Sequence, residues 1–339
     1  MYNNKFNHSS KTDWLKPHAS GCPYLILAPM EGVGDRPFRK TMASIGGFDE
    51  AVTEFIRVPV NAHVESLAKV YESSELDSIP LAAQVMGSDP ELVGKMGQEL
   101  EKRGAPRIDL NCGCPSNTVT GKGAGSSLLK DPDSLYKVAK SLVDAVNVPV
   151  TVKMRSGYDD TSLFIENLEA AQSSGIKFIT LHPRTKKDGY SEKANWDLIK
   201  SAKEKLKIPL IGNGDILSVN DALSMLEKTG CDALMIGRGS VRDPFIFKKI
   251  KNHFIKTPFE PSPLDYCQYL ENFLNNLNPQ TPTRNRINKL KQILGFVFTL
   301  NPKLASLRPT MLKITTNDPL IFLKTSQELL LKGLLESDL

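Results

Sequence analysis

Eight short apolar runs recur between residues 24 and 236. They are Tyr24–Ala28, Glu50–Phe55, Leu81–Met86, Arg107–Asn111, Pro149–Met154, Lys177–His182, Ile208–Gly212 and Cys231–Ile236. Several are almost unbroken in apolar residues, as strands covered on both faces are. The segments between them carry apolar residues at helical spacing. Asp89–Arg103 opens on Asp-Pro and places Leu92, Val93, Met96 and Leu100 on one face. Asp131–Val146 also opens on Asp-Pro and aligns Leu135, Val138, Ala139, Leu142 and Val143. Ser218–Thr229 is a third such segment, closed by Gly230.

Strand followed by helix, eight times over, predicts a (β/α)8 barrel, a TIM barrel of the α/β class. The alternative is a doubly wound open sheet. The barrel is favoured because there are eight units and no dinucleotide-binding fingerprint. Gly121, Gly123 and Gly125 match neither the G-x-G-x-x-G nor the phosphate-loop spacing.

The pattern changes after Ile250. Thr257–Pro263 contains three prolines and reads as a linker. Helical stretches follow at Leu264–Leu277, Thr283–Leu300 and Ser326–Leu335. The predicted organisation is a polar tail at 1–20, a catalytic barrel at 21–256, a linker at 257–263 and a small all-helical domain at 264–339.

Composition narrows the picture. The 339 residues are 40% hydrophobic and 24% charged, which excludes wholesale disorder. The longest apolar stretches, such as Tyr24–Met30 and Ile293–Val297, fall far short of the ~20 residues of a membrane span. The first twenty residues lack the apolar centre of a secretory signal. A cytoplasmic protein without membrane association is expected. Five scattered cysteines form no disulfide framework, and with five scattered histidines they predict no metal site. The net charge is +5. Residues 1–250 contribute +1 and residues 251–339 contribute +4, so the helical quarter holds most of the excess. That is either a solvated helical surface or a patch for an anionic partner such as RNA.

A barrel of this kind builds its active site from the loops after its strands. Those ends read Pro29-Met30-Glu31-Gly32, Gln84-Val85-Met86-Gly87, Asn111-Cys112-Gly113-Cys114-Pro115, Lys153-Met154-Arg155, His182-Pro183-Arg184-Thr185, Asn213-Gly214-Asp215 and Gly237-Arg238-Gly239. Together they describe a mouth lined by amides, cations and a histidine, with glycines where backbone approaches a ligand. The last two loops suit a phosphate-bearing cofactor. Lys153, at the end of a buried strand, would stabilise a reduced, anionic ring, or else snorkels to solvent. Cys112 and Cys114 share one side of an extended strand, and Cys114 begins the loop. A thiol there serves as nucleophile, redox partner or general acid.

These runs resemble the tRNA-dihydrouridine synthases, in order and approximate spacing, strongly over residues 24–247. The resemblance implies FMN in the barrel mouth, NADPH as reductant, and reduction of the C5=C6 bond of a uridine in the tRNA D-loop. It casts Cys114 as the proton donor to C5 while the flavin delivers hydride to C6. Pro29, Met30, Glu31, Gln84, Lys153, His182, Asn213, Gly214, Asp215, Gly237 and Arg238 fall on FMN positions. Asn111, Arg155 and Tyr190 fall where the uracil is held. Thr53-Glu54-Phe55-Ile56-Arg57, the Asn111–Ser116 segment and Thr185-Lys186-Lys187-Asp188-Gly189-Tyr190 are most similar to the bacterial subgroup acting on position 16. Arg286, Lys289 and Lys291 resemble the basic tRNA-binding helix of the family, although Ile293 stands where that subgroup often carries Trp. Action on tRNA as a monomer is expected. The competing readings are an FMN barrel reducing a small pyrimidine or enone, and a catalytically idle tRNA-binding protein.

Overall fold

The computed structural model describes residue 15, residues 17–115 and residues 123–335. Most of the polar leading segment, together with Ser116, Gly121 and the last four residues, lies outside the described residues. Nine parallel strands run β1 (Tyr24–Leu27), β2 (Glu50–Val52), β3 (Ile56–Arg57), β4 (Leu81–Met86), β5 (Ile108–Cys112), β6 (Val150–Gly157), β7 (Ile179–Thr185), β8 (Leu210–Asn213) and β9 (Ala233–Ile236). Each long strand pairs with its neighbour, β2 pairs with β4, and β9 returns to β1. The result is a closed eight-stranded barrel with β3 as a short appendage on β4. All eight predicted runs are strands, and the open-sheet alternative is excluded by the β1–β9 pairing.

The caps act as the sequence indicated. Asp89 accepts from the Leu92 N–H at 3.0 Å and starts the helix Pro90–Lys102. Asp131 opens Pro132–Ala145, and Ser218 opens Val219–Thr229. Gly230 closes the last in the left-handed region at φ 64°.

The last helix begins at Pro319 rather than Ser326, and three other boundaries differ from expectation for a long-range reason. The run Glu50–Phe55 is interrupted. Val52 pairs with Ala82 and Ile56 with Val85, so one strand advances four residues while the other advances three. This bulge turns Glu54 and Phe55 toward the barrel mouth. β6 and β7 extend to Gly157 and Thr185 because they pair with each other there, with a register shift after Arg155. The predicted helix Thr283–Leu300 ends at Leu294. Phe298 adopts φ 66° and its N–H donates to the Arg242 carbonyl at 2.8 Å, which turns the chain back onto the barrel. A further helix, Pro302–Leu312, follows, capped by Asn301.

The helices Pro263–Asn276, Thr283–Leu294, Pro302–Leu312 and Pro319–Leu335 share one continuous apolar core with the barrel. Tyr266 stacks edge-on against Phe245 of the barrel at 5.3 Å and against Phe298 at 5.1 Å. Asn276 donates to Thr41, Lys289 pairs with Asp35 at 2.8 Å, and Gln292 donates to the Gly32 carbonyl. The helical part is thereby fixed beside the loop after β1. No helix among the described residues is long and apolar enough to cross a membrane.

Candidate active site

Two adjoining cavities open at the C-terminal ends of the strands. The smaller is about 100 Å³ and is lined by His182, Asn213, Gly214, Asp215 and Gly237, among others. The larger is about 390 Å³ and includes Glu31, Gln84, Asn111 and Cys114. Pro29, Met30, Lys153, Tyr190 and Arg238 line both. Arg155 lines the smaller one. The strand-end residues singled out by sequence are thus brought to one mouth. Arg286, Lys289 and Lys291 line neither cavity; they lie on the helix Thr283–Leu294.

A ladder of buried polar groups rises through the barrel to Cys114. Arg107 pairs with Glu50 at 2.7 Å and with Asp109 at 3.4 Å, and all three are essentially inaccessible. The other carboxylate oxygen of Asp109 accepts from Gln84 Nε2 at 2.7 Å. Gln84 Oε1 accepts from Asn111 Nδ2 at 2.8 Å. Asn111 Oδ1 accepts from the N–H groups of Gly113 and Cys114, each at 2.9 Å. Asn111 therefore shapes the turn that carries Cys114. Ser126 completes the loop by donating its hydroxyl to the Cys114 carbonyl at 2.8 Å.

Burial separates the two cysteines that alternation could not. Cys112 is fully buried and burial pushes its thiol far up, while Cys114 is half-buried and lines the larger cavity. Cys112 is an apolar filler and Cys114 is the thiol that faces the cavity.

The floor of the smaller cavity is strongly cationic. Burial, reinforced by the neighbouring Arg155, lowers Lys153 to about 8. Among the described residues its ammonium makes no hydrogen bond or ion pair. Burial and the surrounding Lys153, Arg155, Arg184 and Arg238 push His182 down to about 2, so it is neutral. Arg184 approaches His182 Nε2 at 3.3 Å. A guanidinium only donates, so Nε2 accepts and the ring proton sits on Nδ1. That Nδ1 is buried with no partner among the described residues. Among the described residues Asp215 is the one carboxylate lining this cavity, and it is already shared between Arg184 at 2.6 Å and Arg238 at 2.9 Å. A buried ammonium and an orphaned imidazole N–H without acceptors suit an anionic ligand.

Backbone approach is built in. Gly214 has φ 119°, and a Cβ there would press on His182. A Cβ at Gly239 would lie 2.1 Å from the Ile216 carbonyl. Only glycine fits these positions.

Arg155 acts as a clamp. Its Nε donates to the Gly113 carbonyl at 2.9 Å and its Nη1 to Thr185 at 2.7 Å and Gly189 at 3.1 Å. It ties the Cys114 loop to the loop carrying Tyr190. Tyr190 is exposed, with the guanidinium of Arg238 4.4 Å from its ring centre and that of Arg155 at 5.3 Å. The tyrosine overhangs the mouth on a cationic bed.

Several residues that shape the mouth were not singled out by sequence. Arg184 lay inside a quoted motif, but its pairing with Asp215 depends on β7 and β8 being neighbours. Glu54 and Phe55 reach the mouth through the bulge. Glu31 is raised by burial and by Glu54 beside it, giving one rim an acidic character. Arg242 and Phe296 line the same cavity, and the second comes from the helical part. Lys289 is paired with Asp35, and Lys291 donates to the Ile314 carbonyl at 2.9 Å while lying over Phe322. No group of three or more potential metal ligands gathers among the described residues.

A family model described as dihydrouridine synthase matches residues 26–331. A tRNA-dihydrouridine(16) synthase of Haemophilus ducreyi is 36% identical over 294 residues, covering 84% of this chain and 89% of that protein. A probable tRNA-dihydrouridine synthase 1 of Synechocystis is 37% identical, covering 75% of this chain and 73% of that protein. Among solved structures, a 2-naphthoyl-CoA reductase in complex with 2-naphthoyl-CoA superposes with a TM-score of 0.53 at 11% identity. That match covers 72% of this chain and 53% of the other, and it speaks to the barrel fold alone.

Proposed function

The chain belongs to the dihydrouridine synthase family, and from that premise we propose that it reduces the C5=C6 bond of a D-loop uridine in tRNA, with FMN as its flavin and NADPH as reductant. The target is position 16, in keeping with the name of the Haemophilus relative. One observation carries this reading: a half-buried thiol, Cys114, shares a cavity with Lys153, whose ammonium makes no hydrogen bond or ion pair among the described residues.

The residues present fit FMN. Lys153 and the orphaned His182 Nδ1 offer donors to an anionic, hydrogen-bonding ring or its phosphate. Arg238 with Gly214 and Gly237 suits the phosphate end, and Pro29, Met30, Gln84, Asn213 and Asp215 complete the cradle. When bound, FMN supplies the hydride for C6. The thiol of Cys114 gives its proton to C5 as general acid, from a loop fixed by Asn111 and Arg155. Arg155 and Tyr190 hold the uracil over the mouth, and the second amide proton of Asn111 is available to a pyrimidine carbonyl. A uridine within folded tRNA must leave its stack to reach this depth, so the base is extruded. The segment 264–339 serves as the tRNA-binding domain, with Arg286, Lys289 and Lys291 on its basic helix facing the RNA. Lys289 would exchange its partner Asp35 for a phosphate.

The test is chemical mapping. tRNA from cells lacking dihydrouridine is incubated with protein and NADPH, and its D-loop is sequenced by mass. A gain of two hydrogens at residue 16 is expected. A gain at another position would overturn the assignment of target, and no gain with rapid reduction of a small pyrimidine would favour the small-molecule reductase.

A further inference from the structure

Arg242 lies at the boundary of two spaces. It lines the mouth cavity that holds Cys114. It also lines a groove of about 720 Å³ between the barrel and the C-terminal helices, together with Lys303, Phe298, Leu300, Glu260 and the ion pair Lys249–Asp243. Arg242 is exposed, and among the described residues no carboxylate or carbonyl bonds its guanidinium. It follows Arg238 by four residues, so both point from one face of the helix Arg238–Arg242. Arg238 is committed to Asp215 and Tyr190, whereas Arg242 is not.

Phe296, a 46% exposed aromatic from the helical part, lines the same mouth cavity as Arg242. Its placement is set by the turn after Leu294. The N–H of Phe298 donates to the carbonyl of Arg242 itself, so the aromatic and the cation are held on one backbone linkage. An exposed aromatic sharing a cavity with an uncommitted guanidinium is the pairing that single-stranded nucleic acid uses: a base stacks and its phosphate is neutralised.

We propose that Phe296 and Arg242 form a subsite for the nucleotide adjacent to the extruded uridine, with Phe296 stacking on its base and Arg242 bonding its phosphate. This inference rests on the tRNA reading given above. It assigns to the rim a positioning role distinct from the uracil contacts below it.

The test uses full-length holoprotein and tRNA lacking dihydrouridine. Binding is followed by fluorescence anisotropy across a salt series for wild type, Phe296→Ala, Phe296→Trp, Arg242→Gln and Arg242→Lys. Retained flavin reports that each variant is folded. Phe296→Ala is expected to weaken binding about tenfold and Phe296→Trp to restore it. Arg242→Gln is expected to lower the slope of log affinity against log salt by about one, and Arg242→Lys to recover it. Unchanged affinity and slope in both Phe296→Ala and Arg242→Gln, with wild type binding tRNA, would overturn the subsite. Failure of wild type to bind tRNA at all would instead overturn the reading on which it rests.

Discussion

Gln84 and Asn111 hold each other by a single 2.8 Å hydrogen bond between neighbouring strands β4 and β5, at the point where the buried ladder from Arg107 meets the loop of Cys114. The same Asn111 amide that Gln84 orients fixes the backbone of the reactive loop. Replacing Gln84 by Leu leaves Asp109 and Asn111 each short of a buried partner, at a cost of about 1–3 kcal/mol. The expected result is lower stability in urea together with at least a tenfold loss of product formation, because small misplacements of a reacting group are expensive. Loss of stability with undiminished turnover would separate the ladder from the loop.

Cys114→Ala removes the thiol from a cavity wall without disturbing the Asn111 turn, which depends on backbone N–H groups. Flavin content and flavin reduction by NADPH should persist, and dihydrouridine formation should fall by about a hundredfold or more. Cys112→Ala, at a fully buried position, should instead lower stability and leave the chemistry in place. Intact product formation by Cys114→Ala would refute the proton-donor role.

Lys153 sets a pH dependence. Its folded value of about 8 lies below the ordinary 10.5, chiefly through burial. Between these values the unfolded chain binds more protons than the folded one, so the stability of flavin-free protein should rise as pH climbs from about 8 to 10.5. Below about 8 the penalty is fully present. Lys153→Met should flatten that rise in urea titrations and raise stability at neutral pH while weakening flavin retention. An unaltered profile in the variant would place the titration elsewhere.

The base of the ladder should behave as a structural unit. Arg107 neutralises Glu50 and Asp109 in the barrel interior and packs over Phe178, 4.9 Å from its ring centre. Burial raises Glu50 even beside this guanidinium. Arg107→Ala leaves buried carboxylates unpaired and should cost about 3–5 kcal/mol in chemical denaturation. A change within about 0.5 kcal/mol, typical of surface substitutions, would show that water or rearrangement replaces the pair.

What the sequence disclosed was local. Asp-Pro starts at Asp89 and Asp131, the Gly230 stop and the apolar strands are each written within a few residues. The motifs at the strand ends converge because a closed barrel brings consecutive strand ends to one mouth. What stayed hidden depends on partners distant in the chain. The bulge that aims Glu54 and Phe55 is visible only against the register of β4. Phe296 was read as helix, because nothing local announces that Phe298 will donate to Arg242 and reverse the chain. The charge of Lys289 and Lys291 was legible, but not that Asp35 and the Ile314 carbonyl lie within reach of them. Strand alternation did not separate Cys114 from Cys112; the start of the loop and the family resemblance pointed to Cys114, and burial agrees.

The central claim is that the barrel mouth carries a flavin whose electrons go to tRNA. The direct measurement reduces the purified holoprotein with NADPH in the absence of oxygen, adds tRNA lacking dihydrouridine, and follows flavin absorbance through rapid mixing. Prompt reoxidation by this tRNA, little by free uridine, and strong slowing in Cys114→Ala are the predicted results. A flavin that remains reduced in the presence of that tRNA would contradict the account.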